Sequence, residues 1–339
     1  MRTSLYFNAP REVTLCREEV PDPGPGEVRV RSLISAISAG TEMLFYRGHV
    51  NEGTPLDTTI PTLREGLRRP FKYGYATVGT VEPLGDGAPT GWEGRTVFSF
   101  HSHESLFNAP LSELVPVPSG ISVEDAVMLP ATETALSLVM DAAPLVGERA
   151  IVMGQGTIGL LTTAVLALLP LSQLVTMDLM PLRRERSLAM GADASLDPRQ
   201  GPSGLMETAG LESRPADLVI ELTGNPDALE LATRLCGVEG RIIVGSWYGN
   251  HAPRCPLGED FHRRRLRIIS SQVSTVGGPL SPRWTKERRL EEAWRTVARL
   301  RPSRLITHRM PFGKAPSAYR LLDENAGDAI QVILEYPED

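Results

Sequence analysis

The chain has 339 residues, which is enough for about two domains of ordinary size. Charged residues make up 22% and hydrophobic residues 41% of the sequence, as in an ordinary globular protein, and the formal net charge is −6. This acidic balance argues against a general nucleic-acid binder, because such a protein needs a basic face. The cysteines, Cys16, Cys236 and Cys255, lie far apart and predict neither a disulfide framework nor a thiolate-rich zinc site.

The sequence gives no sign of a secretion signal or a membrane anchor. Residues 1–10 lack the apolar core of a signal peptide. The most apolar run, residues 160–175, contains Thr162, Thr163 and Pro170 and follows a glycine-rich turn, which favours a buried helix over a membrane span. We therefore expect a cytoplasmic protein with no membrane partner.

Residues 1–125 predict a β-rich region. Short apolar runs there are interrupted by proline and glycine, which mark turns between strands. Residues 51–70 lack periodicity and are typical of a long surface loop. The expected strands are residues 28–31, 78–81, 95–98 and 113–117.

After residue 125 the pattern changes to strands that alternate with helices. Strands joined by helices pair in parallel, with helices on both faces of the sheet. The sequence therefore predicts an α/β protein whose second part is a doubly wound parallel sheet. The expected strands of this sheet are residues 150–153, 174–177, 217–221, 241–244 and 266–269, with helices over residues 156–169 and 181–190. The tail returns to a mixed pattern, with expected helices over residues 286–300 and 314–323 and expected strands over residues 305–308 and 329–334.

A glycine motif in this second part predicts a dinucleotide site. Gly154, Gly156 and Gly159 form GxGxxG between an apolar strand and an apolar helix, and Asp178 ends the next strand. The glycines allow a tight turn, close approach of a pyrophosphate and close helix packing, and the helix N-terminus offers N–H groups to phosphates. Asp178 can accept hydrogen bonds from ribose hydroxyls and would repel a 2′-phosphate, which favours NAD over NADP. Nearby Arg183 and Arg184 weaken that preference, so NADP stays open, and Arg183 is itself a candidate cofactor contact.

Several motifs together resemble the medium-chain dehydrogenase/reductase family. The resemblance covers nearly the whole chain and implies a GroES-like catalytic domain, a Rossmann domain and a C-terminal segment that returns to the catalytic domain. We place these at residues 1–125, 126–275 and 276–339. The motifs are residues 38–48, 73–79, 94–97, 129–135, 154–159, 190–193 and 306–312, with Ala318 and Tyr319.

Within the family, residues 40–42, 72–75, 100–103 and 154–156 resemble the bacteriochlorophyllide hydroxyethyl dehydrogenase branch. This resemblance implies oxidation of a secondary alcohol, or its reverse, in a biosynthetic pathway. Zinc-dependent members of the family have metal ligands where this chain has Ala39, Tyr75 and Leu129. Because catalytic zinc needs about three N, S or O ligands from the protein, we predict a zinc-independent enzyme with no metal.

Without zinc, hydrogen-bond donors must stabilise the developing alkoxide, and a proton must be delivered. Tyr75 replaces a zinc-ligating histidine, with a packing tyrosine as the alternative. Thr41 matches the proton-relay hydroxyl of the family, and Glu42 matches an acidic residue behind the site. His101 and His103 follow a strand at the expected rim of the cleft, where a histidine can relay a proton near neutral pH. The alternatives for these two are a structural role or, together with the adjacent glutamate, a new metal site.

Further cofactor contacts are predicted at the carboxyl edge of the parallel sheet, where ligands bind in doubly wound folds, and at positions that the resemblance supplies. Ser271 and Gln272 have an alternative role at the sheet edge through which family members dimerise, and we expect a homodimer. The residues of this group are Glu133, Thr134, Thr157, Ile158, Thr223, Gly224, Gly245, Ser246, Trp247, Ser271 and Gln272.

The substrate is less well defined by the sequence than the cofactor is. Lys72 with Arg68 and Arg69 either attracts an anionic substrate group or forms a solvated basic loop. The leading hypothesis is an NAD-dependent oxidoreductase acting on a small-molecule secondary alcohol or ketone. The alternatives are an enone or quinone reductase of the same fold, and a nucleotide-binding relative without turnover.

Overall fold

The computed structural model describes residues 1–57, 60, 63–82 and 91–337. Its contacts divide the chain into unit 1, Met1–Pro130 with Val297–Asp339, and unit 2, Ala131–Thr296. These borders fall after residues 130 and 296, whereas the sequence placed them after 125 and 275. One border falls near the start of a helix that begins at Leu129 and the other falls within a helix that begins at Lys286, so the division follows packing rather than the change in sequence pattern.

The strands and helices follow in chain order. The strands are β1 (Arg2–Ala9), β2 (Glu12–Glu18), β3 (Glu27–Ile37), β4 (Thr77–Val81), β5 (Thr96–Ser99), β6 (Leu106–Pro110), β7 (Leu114–Pro116), β8 (Arg149–Met153), β9 (Gln173–Met177), β10 (Ala194–Leu196), β11 (Ala216–Glu221), β12 (Cys236–Val244), β13 (Arg267–Ser270), β14 (Ile306–Pro311) and β15 (Gln331–Glu335). The α-helices are α1 (Thr41–Arg47), α2 (Val123–Ala126), α3 (Leu129–Ala142), α4 (Thr157–Leu166), α5 (Pro181–Ala189), α6 (Gly201–Thr208), α7 (Ala228–Leu235), α8 (Asp260–Arg263), α9 (Lys286–Leu300) and α10 (Ala315–Glu324).

Unit 1 is built on a sheet with the strand order β14-β15-β3-β4-β5-β7, in which β6 also pairs with β3. Along β3, buried Val28 and Val30 alternate with less buried residues, as expected for a strand with one face toward a core. The C-terminal strand β15 lies antiparallel to β3, with Leu334 opposite Ser35. The separate hairpin of β1 and β2 packs on an aromatic cluster that includes Phe7.

The prediction of a surface loop over residues 51–70 is wrong in part. Residues 58, 59, 61 and 62 lie outside the described chain. In the rest of the segment Leu56, Leu63 and Leu67 are buried in the same core as the aromatic cluster. A backbone bond from the N–H of Leu67 to the carbonyl oxygen of Thr54, at 2.8 Å, folds the segment back on itself. The segment thus contributes apolar side chains to the core, which accounts for leucines that have no regular spacing.

Unit 2 is the predicted doubly wound sheet. Its order is β10-β9-β8-β11-β12-β13, and the pairs of neighbouring strands are parallel. The middle strands are buried almost throughout, since helices cover both faces of a sheet of this kind. The apolar run over residues 160–175 belongs to buried α4 and the following strand β9. In the part of the chain that the structure describes, no helix has the length and apolarity that a membrane crossing requires.

Candidate active site

The turn between β8 and α4 admits only glycine at two positions. Gly154 has a φ of 88°, and a Cβ there would lie 2.6 Å from the carbonyl oxygen of Leu222. A Cβ on Gly159 would lie 1.9 Å from the carbonyl oxygen of Gly154, so glycine lets α4 begin close to the strand. A Cβ on Gly156 would meet no atom within 4 Å. The space at Gly156 fits the close approach of a dinucleotide pyrophosphate.

Asp178 follows β9 and holds this turn in place. Its Oδ2 accepts a hydrogen bond from the backbone N–H of Gln155 at 2.7 Å, and its Oδ1 accepts one from the N–H of Met180 at 2.8 Å. The Nη1 atom of Arg183 lies 4.0 Å from Oδ2. The residue predicted to bind the ribose therefore also joins the glycine turn to the next strand.

The loops that follow β11 and β12 are joined to each other at the carboxyl edge of the sheet. The N–H of Gly224 donates to Ser246 Oγ at 2.9 Å. Below them lies the fully buried Glu221, whose Oε1 accepts from the N–H of Thr223 at 2.7 Å and whose Oε2 accepts from Tyr248 Oη at 2.5 Å. Thr223 and Gly224 are exposed, and Gly245, Ser246 and Trp247 lie beside them on the neighbouring loop. The predicted cofactor residues of both loops are thus gathered at one place on the sheet edge.

Glu133 is buried in α3 and is held by an arginine of α9. Arg289, which is 1% exposed, donates from Nε to Glu133 Oε1 at 3.1 Å, and its other nitrogens bond Ser137 Oγ and the carbonyl oxygens of Val273 and Thr275. Burial raises the pKa of Glu133, and Arg289 offsets only part of that rise. Glu133 therefore has a structural partner in place, whereas its predicted cofactor contact stays a prediction.

The other predicted cofactor residues are only partly buried or exposed. Ser271 Oγ donates to Asp141 Oδ2 at 2.6 Å, and the side chain of Gln272 folds back onto Ser274. These bonds fix the segment that follows β13. The remaining members of the group are partly exposed on α3 and in the first turn of α4: Thr134, Thr157 and Ile158.

In unit 1, Tyr75 and Thr41 meet at the side chain of Ser38. The hydroxyl of Tyr75 donates to Ser38 Oγ at 2.6 Å, and the N–H of Thr41, at the start of α1, donates to the same oxygen at 3.3 Å. Burial raises the pKa of Tyr75, and hydrogen bonds with Ser38 and Thr41 offset only part of the rise. The phenol therefore keeps its proton at neutral pH and is able to give it to an acceptor.

Glu42 and His103 form a fully buried pair behind this group. Glu42 Oε1 accepts from the N–H of Ser38 at 2.8 Å, and Oε2 accepts from His103 Nε2 at 3.0 Å and from the hydroxyl of Tyr319. His103 Nδ1 lies 2.7 Å from Ser35 Oγ. Both ring nitrogens of His103 are thus engaged inside the core, so this histidine positions Glu42 and does not reach solvent.

His101 lies in a second cluster of charged groups. Its ring stacks on Phe107 with centroids 3.9 Å apart, and its Nε2 lies 3.5 Å from Glu104 Oε2. Lys72 Nζ lies 2.8 Å from both Glu104 Oε1 and Glu18 Oε2. Burial raises the pKa of Glu104, but His101 and Lys72 outweigh it and hold the pKa below its usual value. Lys72 is therefore held between two carboxylates, and neither an anion-attracting role nor a solvated basic loop describes it.

The donor set at the expected ligand positions does not fit catalytic zinc. Ala39 has no donor atom, Leu129 is buried and apolar, and the Tyr75 hydroxyl is bonded to Ser38. Within residues 1–57, 60, 63–82 and 91–337, no group of three or more His, Cys, Asp and Glu side chains is placed to hold a metal ion.

Known proteins resemble the chain over nearly its full length, although no family model matches it. D-guloside 3-dehydrogenase of Escherichia coli K12 is 26% identical over 345 residues, which cover 97% of this chain and 98% of that protein. The starvation-sensing protein RspB of the same organism is 22% identical and covers 99% of both chains. (R,R)-butanediol dehydrogenase of Bacillus subtilis is 24% identical over 73% of this chain and 78% of its own length.

Solved structures show the same architecture. The alcohol dehydrogenase rspB from E. coli CFT073, solved with NADH, has a TM-score of 0.79 at 19% identity and covers 98% of this chain and 99% of its own. Zinc-dependent alcohol dehydrogenase 2 from Streptococcus pneumonia has the same TM-score and identity, and covers 100% and 99% of the two chains. Four of these five proteins are named as dehydrogenases. They confirm the predicted α/β fold with GroES-like and Rossmann parts, and the prediction of a dehydrogenase enzyme.

Four residues at these sites were missed by the sequence prediction. Ser38 lies inside a motif that was noted, yet its hydroxyl was not singled out. Glu221 gave a usable signal, because an acidic residue ends its strand directly after three buried apolar residues. Tyr248 and Arg289 gave none, since their partners lie on other elements of the chain.

Proposed function

We propose that the chain is a zinc-independent, NAD-dependent dehydrogenase that interconverts a secondary alcohol and a ketone. The observation that carries this is the Tyr75 hydroxyl, which is bonded to Ser38 and whose pKa is raised by burial, at the position where the family resemblance implies a metal ligand in zinc-dependent members. A bound nicotinamide would supply or accept the hydride. The carboxylate of Asp178 and the space at Gly156 support NAD as the cofactor.

Tyr75 would act as the proton donor to the developing alkoxide. As the phenol gives up its proton, the Ser38 hydroxyl would turn to donate to the phenolate oxygen. The N–H of Thr41 holds Ser38 Oγ at 3.3 Å, and Glu42 holds the Ser38 backbone N–H at 2.8 Å. The relay is thus fixed by α1 and by the buried Glu42–His103 pair.

The relatives support the substrate class. Their names specify a D-guloside, (R,R)-butanediol, L-galactonate and L-threonine as substrates, and each of these compounds carries a secondary hydroxyl. We therefore propose that a polyol, hydroxy acid or sugar derivative with such a hydroxyl is the substrate of this chain.

Replacement of Tyr75 tests the proposal. Tyr75→Phe keeps the ring and removes the donor, so we expect kcat to fall about 100- to 1000-fold while the affinity for NADH stays unchanged. Activity should be followed with NADH and NADPH against panels of ketones and enones. Tyr46→Phe, a change at another buried tyrosine of unit 1, serves as the control. Wild-type turnover by Tyr75→Phe, or loss of activity when a stoichiometric zinc ion is removed by a chelator, would refute the proposal.

A further inference from the structure

The sheet order of unit 2 indicates where each half of a dinucleotide would lie. The chain leaves β8 toward β9 and β10 on one side and continues with β11, β12 and β13 on the other. Ligands of doubly wound sheets bind across this reversal, outside the carboxyl ends of the strands. Asp178 follows β9, so the adenosine half belongs on that side. The nicotinamide half then belongs over the loops that follow β11 and β12.

These two loops share one buried acceptor. Glu221 is fully buried at the end of β11, and its two oxygens accept hydrogen bonds from different loops. Oε1 takes the N–H of Thr223, 2.7 Å away, and Oε2 takes the hydroxyl of Tyr248 at 2.5 Å. A carboxylate accepts without donating, so each loop has to bring a donor to it.

We propose that Glu221 and Tyr248 are positioning residues for the nicotinamide end of the cofactor. This inference rests on the proposed dinucleotide binding. The pair holds the turn at Thr223 and Gly224 against the loop of Ser246 and Trp247, whose outer surfaces are available to a ligand. The bond from the Gly224 N–H to Ser246 Oγ, at 2.9 Å, is a second link between the loops.

The hydrogen bond between Glu221 and Tyr248 lies in a buried setting, where the loss of one partner affects the other. Burial, and then the charge of Glu221, raise the pKa of Tyr248, so its hydroxyl stays protonated and donates. Without that donor, a buried carboxylate oxygen lacks a partner, which is unfavourable enough to shift the surrounding loop. Below the loops, a Cβ on Gly245 would lie 2.6 Å from side-chain carbons of Leu138 and Leu222, so the loop has little room to move inward. It would therefore move outward, into the space of the nicotinamide ring.

The test compares ligands with and without the nicotinamide. Tyr248→Phe and Glu221→Gln should each weaken binding of NADH about 10-fold, measured by titrating the fluorescence of the bound cofactor. The same variants should bind ADP-ribose, which lacks the nicotinamide, with wild-type affinity by calorimetry. In turnover, KM for NADH should rise more than kcat falls.

Tyr6→Phe is the matched control, because it removes a tyrosine hydroxyl that donates to Glu18 in unit 1, and it should change neither affinity. The inference is overturned if NADH binding by Tyr248→Phe equals that of the wild type, or if NADH and ADP-ribose weaken equally. If Glu221→Gln does not fold, the Tyr248→Phe comparison still decides. Failure of the wild-type protein to bind NADH would instead refute the proposed function.

Discussion

The glycine turn between β8 and α4 allows an experiment that separates folding from cofactor binding. A Cβ at Gly156 meets no atom within 4 Å, so Gly156→Ala should change the free energy of unfolding by less than about 0.5 kcal/mol. A Cβ at Gly159 would lie 1.9 Å from the carbonyl oxygen of Gly154. Since non-bonded atoms approach to about 3.5 Å, α4 or the turn would have to move by about 1.5 Å. Gly159→Ala should therefore destabilise the protein by about 1–3 kcal/mol.

Cofactor binding should show a different pattern from stability. The methyl group of Gly156→Ala enters the space that a pyrophosphate would approach, so we expect NADH affinity to fall about 10-fold or more in a protein of wild-type stability. Urea unfolding followed by circular dichroism gives the stability, and NADH fluorescence titration gives the affinity. Wild-type NADH affinity in Gly156→Ala would refute the placement of the phosphates. Unchanged stability in Gly159→Ala would refute the close contact of α4 with the turn.

Two predictions concern charged pairs away from the reacting groups. Arg289→Met leaves Glu133 buried without its cation and should lower the free energy of unfolding in urea by about 3–5 kcal/mol. Adding Glu133→Leu should restore part of that loss. Equal stability of the wild type and both variants would contradict this prediction. Burial raises the pKa of Glu18, but Lys72 and its other donors outweigh it and hold the pKa at about 2, below the ordinary 4.5. The Glu18 carboxylate thus stabilises the fold above about pH 4.5, and this is lost as the pH falls toward 2. The wild type should exceed Glu18→Gln by about 1–2 kcal/mol at neutral pH after solvent screening, with the gap closing in acid; a pH-independent gap would count against it.

The parts of the structure that the sequence could predict depend on patterns among residues that are close together in the chain. The order of strand, glycine turn, helix and acid-ended strand around Asp178 needs only neighbours within about one βαβ unit. The structure contains the predicted strand, helix and second strand as β8, α4 and β9.

Long-range partners were out of reach of the sequence. Arg289 and Glu133 are 156 positions apart, and Tyr319 and Glu42 are 277 apart. Nothing local in an arginine-rich helix distinguishes Arg289 from its exposed neighbours. His103 illustrates the same point: the sequence suggested a histidine that could relay a proton, but only the packing of β3 and α1 shows that Ser35 and Glu42 enclose its ring.

The place of β15 in the sheet of unit 1 has a consequence for synthesis on the ribosome. Its neighbour β3 is complete once Ile37 has been made. On the edge of β3 that also pairs with β6, however, residues 34–37 receive their partner only when the chain has been made through Glu335. Unit 2 is one continuous stretch, Ala131–Thr296, so it can fold while that edge is still unpaired. A nascent chain thus carries this unpaired end of β3 for most of its translation, which makes it the place where we expect a chaperone to bind or premature aggregation to begin.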